Sequence, residues 1–183
     1  MAAQAPDETK FVAPAQARTI SITTTKMIQR IQSVFLLLLA LAMLSLLALP
    51  LWHKVDPLTN QELTLTAFGY VSKGVALPAA PGPVWLIGSL AAASAALAVF
   101  EIFQFRHRLR QLLLGTVNLL LITATLGAEF LFYTKGEQLL NIKLEGQIMV
   151  AFYLPTLALV LNLLANRFIR RDEQLVRSAD RLR

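Results

Sequence analysis

The sequence predicts an all-α membrane protein: a four-helix transmembrane bundle, both termini cytoplasmic, with a small extracytoplasmic loop carrying the signal of a short β-hairpin. Three observations lead there. Four long apolar runs are spaced along the 183 residues. The arginines gather at alternate flanks of those runs. The chain is 56% hydrophobic and only 15% charged, against the roughly 25% charged residues of a soluble domain. Apolar residues in blocks, with no polar face to show water, need lipid around them.

Residues 1–26 are polar and small, with Pro6, Pro14, Asp7, Glu8 and a threonine run from Thr23 to Thr25. Lacking apolar periodicity, they are expected to stay disordered. The first span, about residues 31–52, is uncharged and matches the roughly 20 residues that cross a bilayer core. It is too long for a signal-peptide core and is followed by no small-residue cleavage site, so it reads as a retained helix. Pro50 ends it, and Trp52 is expected at the interface, where an indole is favoured.

The loop from His53 to Pro83 is the longest. Its alternation over Glu62–Thr66, with a second piece at Tyr70–Val75 bounded by Gly69 and Gly74, is the hairpin signal. The stretch Pro78–Pro83 is neither helix nor central strand. The second span, about 84–105, begins at Trp85 and carries small residues in two rows, Gly88, Ala92 and Ala96 beside Ala91 and Ala95. Such faces let helix backbones approach, within the bundle or in a homo-oligomer. The third span, about 112–133, gives way to a polar loop over Thr134–Gly146. The fourth, about 147–165, has Pro155 in its middle, where a kink is expected. The three parts are thus an extension (1–26), a transmembrane domain (27–166) and a basic helical tail (167–183).

Sidedness follows from the positive residues. Lys26 and Arg30 precede the first span, Arg106, Arg108 and Arg110 join the second to the third, and six arginines from Arg167 to Arg183 follow the fourth. The other two loops hold only lysines, balanced by acids. The positive-inside rule puts both termini in the cytoplasm. The net charge of +6 is therefore topology information and implies no nucleic acid.

Ionisable residues within spans are candidate functional sites. Glu101 lies near the cytoplasmic boundary and Glu129 near the outer one. The structural alternative pairs Glu101 with Arg30, Arg110 or Arg167, and takes Glu129 to interfacial water or Lys54. Asn118, Thr125 and Glu129 share one helical face. Glu101, Asn118 and Asn162 are expected to converge inside the bundle and hydrogen-bond across helices. Little polarity lies between Asn118 and Thr125, which counts against a transport path.

No enzyme signature is present: no H-E-x-x-H, G-x-S-x-G or phosphate-binding glycine loop. The absence of cysteine excludes disulfides and thiolate sites. His53 and His107 fall on opposite sides and cannot share a metal. No cofactor is implied.

In the tail, Phe168, Leu175 and Leu182 are seven apart, as are Ile169 and Val176, giving one apolar stripe among charges. This suits a helix on anionic headgroups, or a docking helix for a protein partner. Arg170, Arg171 and Arg177, with Arg30, Arg106, Arg108 and Arg110, form the candidate cytoplasmic docking face.

Two segments, MIQRIQSVFLLLLALAM from Met27 and LANRFIRRDEQLVRSADRLR from Leu164, resemble the Bacteroidota membrane family catalogued as domain of unknown function 4293. The resemblance covers about Met27 to Arg183 and implies a four-span inner-membrane protein starting near Met27. It carries no activity, and its densest residues, Gln29, Arg30, Gln32, Asp172, Glu173, Arg177, Ser178 and Asp180, imply a shared role on the cytoplasmic face. The leading expectation is a non-catalytic subunit or scaffold; the alternative is a small transporter or proton-coupled component using Glu101 and Glu129.

Overall fold

The computed structural model describes residues 15–74, 82–104, 108–141 and 143–181, with the backbone alone for 15–30, 108, 172 and 175–181. Four helices carry the fold: α1 (Ala15–Ala48), α2 (Trp85–Phe103), α3 (Arg108–Leu139) and α4 (Leu154–Arg181). Each contains a stretch long and apolar enough to cross a membrane. They pack in sequence order around a square, α1 against α2 and α4, α3 against α2 and α4.

The apolar residues divide between the two sides of each helix. Leu39, Met43 and Leu46 of α1 meet Ile87, Ala91 and Ala95 of α2, Ile122 of α3 and Ala158 and Leu161 of α4 in one interior. Leu37, Leu41 and Leu44, Phe100 and Phe103, Leu120 and Phe130, and Leu157 and Val160 point outward and are exposed. Leaving such side chains in water forfeits about 1.5–3 kcal/mol each, so the outer surface is suited to lipid.

The chain is not all-α. Strands β1 (Trp52–Asp56), β2 (Gln61–Leu65), β3 (Tyr70–Lys73) and β4 (Gln147–Ile148) form an antiparallel sheet in the order β3-β2-β1-β4. The expected hairpin is β2–β3, with Leu65 opposite Tyr70; Val75 lies outside the described residues. The sheet is larger because β1 pairs with β2, Trp52 opposite Leu65, and with β4, Trp52 opposite Ile148. The β1–β2 turn is closed by Asp56, whose Oδ1 accepts from Leu58 N at 2.9 Å, and by Asn60 at φ 51°, a conformation asparagine tolerates. Alternation puts Trp52, Lys54, Asp56, Leu63 and Leu65 on a buried face against the helix ends.

Several boundaries move for local reasons. Helix α1 starts at Ala15, so residues 15–26, expected to be disordered, are helical: once the apolar stretch has nucleated a helix, each further residue costs little. Residues 1–14 lie outside the described residues. Helix α1 stops at Ala48, not at residue 52, since Leu49 before Pro50 is disfavoured in the α region. Trp52 is accordingly in β1, fully buried, and is not an interfacial anchor; Trp85 is exposed at the start of α2, as such an anchor would be. Helix α3 runs on to Leu139 through the segment expected to be a loop. Pro155 falls in the first turn of α4, after a 3-10 turn over Val150–Tyr153, where its missing N–H costs nothing and no kink follows. The proline segment at 78–81 and the Arg106–His107 turn lie outside the described residues.

In α2 only one small-residue row faces inward. Ala91, Ser94, Ala95, Ala98 and Glu101 are buried, whereas Ala92 and Ala96 are exposed, because a strict interval of four drifts around a 3.6-residue helix. Gly88 serves a different contact: its N–H bonds Ala67 O at 2.8 Å, and a Cβ there would lie 2.7 Å from the Phe68 ring. It seats the β2–β3 turn on the helix start.

Candidate intramembrane polar cluster and the arginine end

The inward stripe of α3 reads Gln111, Gly115, Asn118, Ile122, Thr125 and Glu129, at alternating intervals of four and three, and every member is buried. This spacing keeps one face turned to the neighbours. From Gln111 to Glu129 it rises about 27 Å, nearly a hydrocarbon core of about 30 Å.

Polar contacts concentrate at its arginine-side half. Ser94 of α2 donates from Oγ to Asn118 Oδ1 at 2.6 Å. Asn162 of α4 donates from Nδ2 to Gly115 O at 2.9 Å. Gln111 donates from Nε2 to the Glu101 backbone carbonyl at 3.3 Å, which also accepts from Gln104 N at 3.1 Å. Three helices are thereby tied by hydrogen bonds in an apolar surround, where an unmade bond costs most. Gly115 makes the α3–α4 approach feasible: a Cβ there would strike the Asn166 amide.

Glu101, Asn118, Asn162 and Glu129 are all buried. Asn118 bonds across helices to Ser94 and Asn162 to the α3 backbone, each separately. The Glu101 carboxylate does not join them: among the described residues neither of its oxygens has a hydrogen-bond partner. Arg110 and Arg167 are exposed and make no ion pair with it, and the Arg30 side chain is not described. Among the described residues both oxygens of Glu129 are also without a partner. The expected route from Glu129 to Lys54 fails because Lys54 is engaged elsewhere. Between Asn118 and Thr125 the stripe is filled by Ile122, and Thr125 Oγ1 turns back to Leu121 O at 2.8 Å.

Lys54 belongs to a node the sequence reading missed. Its Nζ contacts Glu137 Oε2 at 2.6 Å and Glu137 O at 2.9 Å. Glu137 Oε1 also accepts from Trp52 Nε1 at 2.9 Å and from Gly146 N at 3.0 Å. Gly146 lies against the Trp52 indole, and Gly136 admits the Trp52 and Tyr70 rings, each 3.1 Å from where a Cβ would stand. Tyr70 donates its hydroxyl to Phe132 O, and burial pushes its phenol up to about 12. One signal was available: Lys54 shares the parity of Trp52 and Asp56 in the strand. Its partner was hidden because Glu137 reads as loop until α3 is seen to continue.

At the opposite end, Arg110, Arg170 and Arg171 are exposed. Arg106 lies outside the described residues, and Arg30, Arg108 and Arg177 have helical backbone only. The apolar stripe expected of the tail is partly spent inside the fold: Phe168 stacks on Phe35 of α1, centroids 5.6 Å apart, and Ile169 is buried.

A family model described as Domain of unknown function (DUF4293) matches residues 28–182. The chain belongs to that family. The match covers all four helices from the fourth turn of α1 onward and the whole sheet, so the fold described above is a view of the family's domain. No curated protein and no solved structure matches the chain.

Proposed function

We propose that this member of the family is a multi-pass inner-membrane protein, its sheet extracytoplasmic and its arginine end cytoplasmic, acting as a non-catalytic subunit that offers a basic face and the end of α4 to a protein partner. The observation that carries this is the course of α4. It is a continuous helix to Arg181, about 18 Å beyond Ile169, the last buried residue of α4 among the described side chains. A helix that continues so far past Ile169, with Arg170 and Arg171 exposed, is suited to a second surface. Deletion after Gln174 leaves Phe168 and Ile169 in place and removes the last turns of the helix. The test is affinity purification of the full chain and of the chain ending at Gln174. A stoichiometric partner held by the first and lost by the second supports the reading; identical purification of both forms alone refutes it.

A second reading has one specific observation in its favour. Glu101 and Glu129 are two buried carboxyls near opposite ends of the helices, without a hydrogen-bond partner among the described residues. Burying a carboxylate alone is costly, and a proton or a bound cation relieves that cost. Proton-coupled transport would use them in turn. Proteoliposomes with an internal pH dye test it: Glu101→Gln and Glu129→Gln must each abolish a proton flux that the unaltered chain supports.

A further inference from the structure

Helices α3 and α4 leave a groove of about 610 Å³ between them at the arginine end. On α4 its wall is Leu163, Asn166, Arg167, Arg170, Arg171 and Gln174, a single helical stripe that changes from apolar to basic along its length. Thr116 and Leu119 of α3 face it. Among the described residues Arg167, Arg170 and Arg171 have no ion pair, although acids follow in the next turn. Asn166 also lines the groove, its buried Oδ1 turned toward Gly115 of α3. The crevice between α1 and α2 is different: Ser33, Val34, Leu37, Val99, Ile102 and Phe103 line it, with no cation.

We propose that the α3–α4 groove binds one anionic phospholipid, its phosphate on Arg167, Arg170 and Arg171 and an acyl chain along Leu119 and Leu163. This rests on the membrane reading above but not on the partner or transport readings. The argument is charge complementarity joined to polarity order. Guanidinium groups hold phosphate oxygens bidentately. The arginines sit where the apolar stretch of α4, Val150–Arg171, ends, the depth of a headgroup, and Leu163 lies on the membrane side of them. A soluble phosphate would use the arginines and leave Leu119 and Leu163 idle; a lipid uses both. The volume falls in the range of about 300–1,000 Å³ typical of small-molecule sites. Basic pockets between membrane helices at the cytoplasmic side are a known physical solution to headgroup binding.

The test is reconstitution of the full chain into vesicles of phosphatidylcholine alone, or with one fifth phosphatidylglycerol, then flotation, mild-detergent extraction and native mass spectrometry. The full chain is expected to retain phosphatidylglycerol in preference to phosphatidylcholine. The variant Arg167→Gln, Arg170→Gln, Arg171→Gln should lose that preference, a drop on the order of a hundredfold. The chain ending at Gln174, which lacks Arg177, Arg181 and Arg183, should keep it. Equal retention of the two lipids overturns the proposal, as does a triple variant that behaves like the parent. Equal loss in the shortened chain means diffuse surface charge and overturns it too. Displacement of the lipid by millimolar glycerol phosphate assigns the site to free phosphate instead. Failure to float with either vesicle would reject the membrane reading itself, which is a separate result.

Discussion

Lys54 Nζ lies 2.6 Å from Glu137 Oε2, with the lysine side chain wholly removed from solvent and the glutamate at 23% exposure. The pair joins β1 to the last turn of α3 and anchors the sheet to the helix ends. Its worth lies in what its loss would strand.

Glu137→Ala leaves the Trp52 indole N–H and the Gly146 amide without their acceptor, and the Lys54 ammonium with only the backbone carbonyl of residue 137 and no counter-charge. Removing one partner of a buried pair costs about 3–5 kcal/mol, so a marked fall in thermal midpoint in detergent is expected. Lys54→Met should cost less, because Glu137 keeps two other donors and some water. A thermal series with both single variants and the double variant checks this; additive losses would deny the coupling.

Gly115 and Gly127, on the same helix, should respond with opposite signs to alanine. At Gly115 a Cβ meets the Asn166 amide, and overpacking costs about 1–3 kcal/mol. At Gly127 nothing lies within 4 Å, and the gain in helix propensity is about 1 kcal/mol. Thermal unfolding of the two variants side by side is the measurement.

Tyr70→Phe removes the hydroxyl bonded to Phe132 O and should cost about 1 kcal/mol near neutral pH. The folded-state value of about 12 exceeds the ordinary 10, burial being the cause. The fold therefore favours the neutral phenol. The tyrosine's contribution is fully present below pH 10 and is lost as pH rises through 12. Alkaline unfolding of the parent should thus begin earlier relative to its neutral stability than that of Tyr70→Phe.

The absence of native cysteine makes orientation directly measurable. Leu58, at the β1–β2 turn, and Gln174, at the arginine end, are both exposed. In intact cells an impermeant maleimide should label Leu58→Cys and spare Gln174→Cys, with the order reversed in inverted vesicles.

Asn162→Leu deletes the hydrogen bond to Gly115 O and should cost about 1 kcal/mol, whereas Glu101→Gln, which breaks no bond made by the carboxylate and removes a buried ionisable group, should not lower the thermal midpoint. A fall for Glu101→Gln as large as that for Asn162→Leu would mean the carboxylate has a partner after all.

The four apolar runs, their order and the arginine asymmetry are properties of composition along the chain, and local sequence alone determined them. The Glu62–Thr66 alternation likewise marked β2, and the i, i+7, i+11 spacing on α3 placed Asn118, Thr125 and Glu129 on one face. Tertiary structure decided what depends on residues far apart in sequence. Strand β1 exists because Leu63 and Leu65 of β2 and Ile148 of β4 give it partners; alone, WHKVD is indistinguishable from loop. Helix α3 keeps its extra turns because Trp52 and Lys54 satisfy Glu137. Which alanines of α2 face inward was settled by the slow drift between a four-residue interval and the helical repeat. Glu101 was expected to bond across helices or to pair with Arg30, Arg110 or Arg167; among the described residues its carboxylate meets no partner, and the Arg30 side chain is not among them. Periodicity fixes faces and ends, because both are set within a turn or two of chain; pairing and burial wait on the fold, because they are set by whichever surface the packing brings alongside.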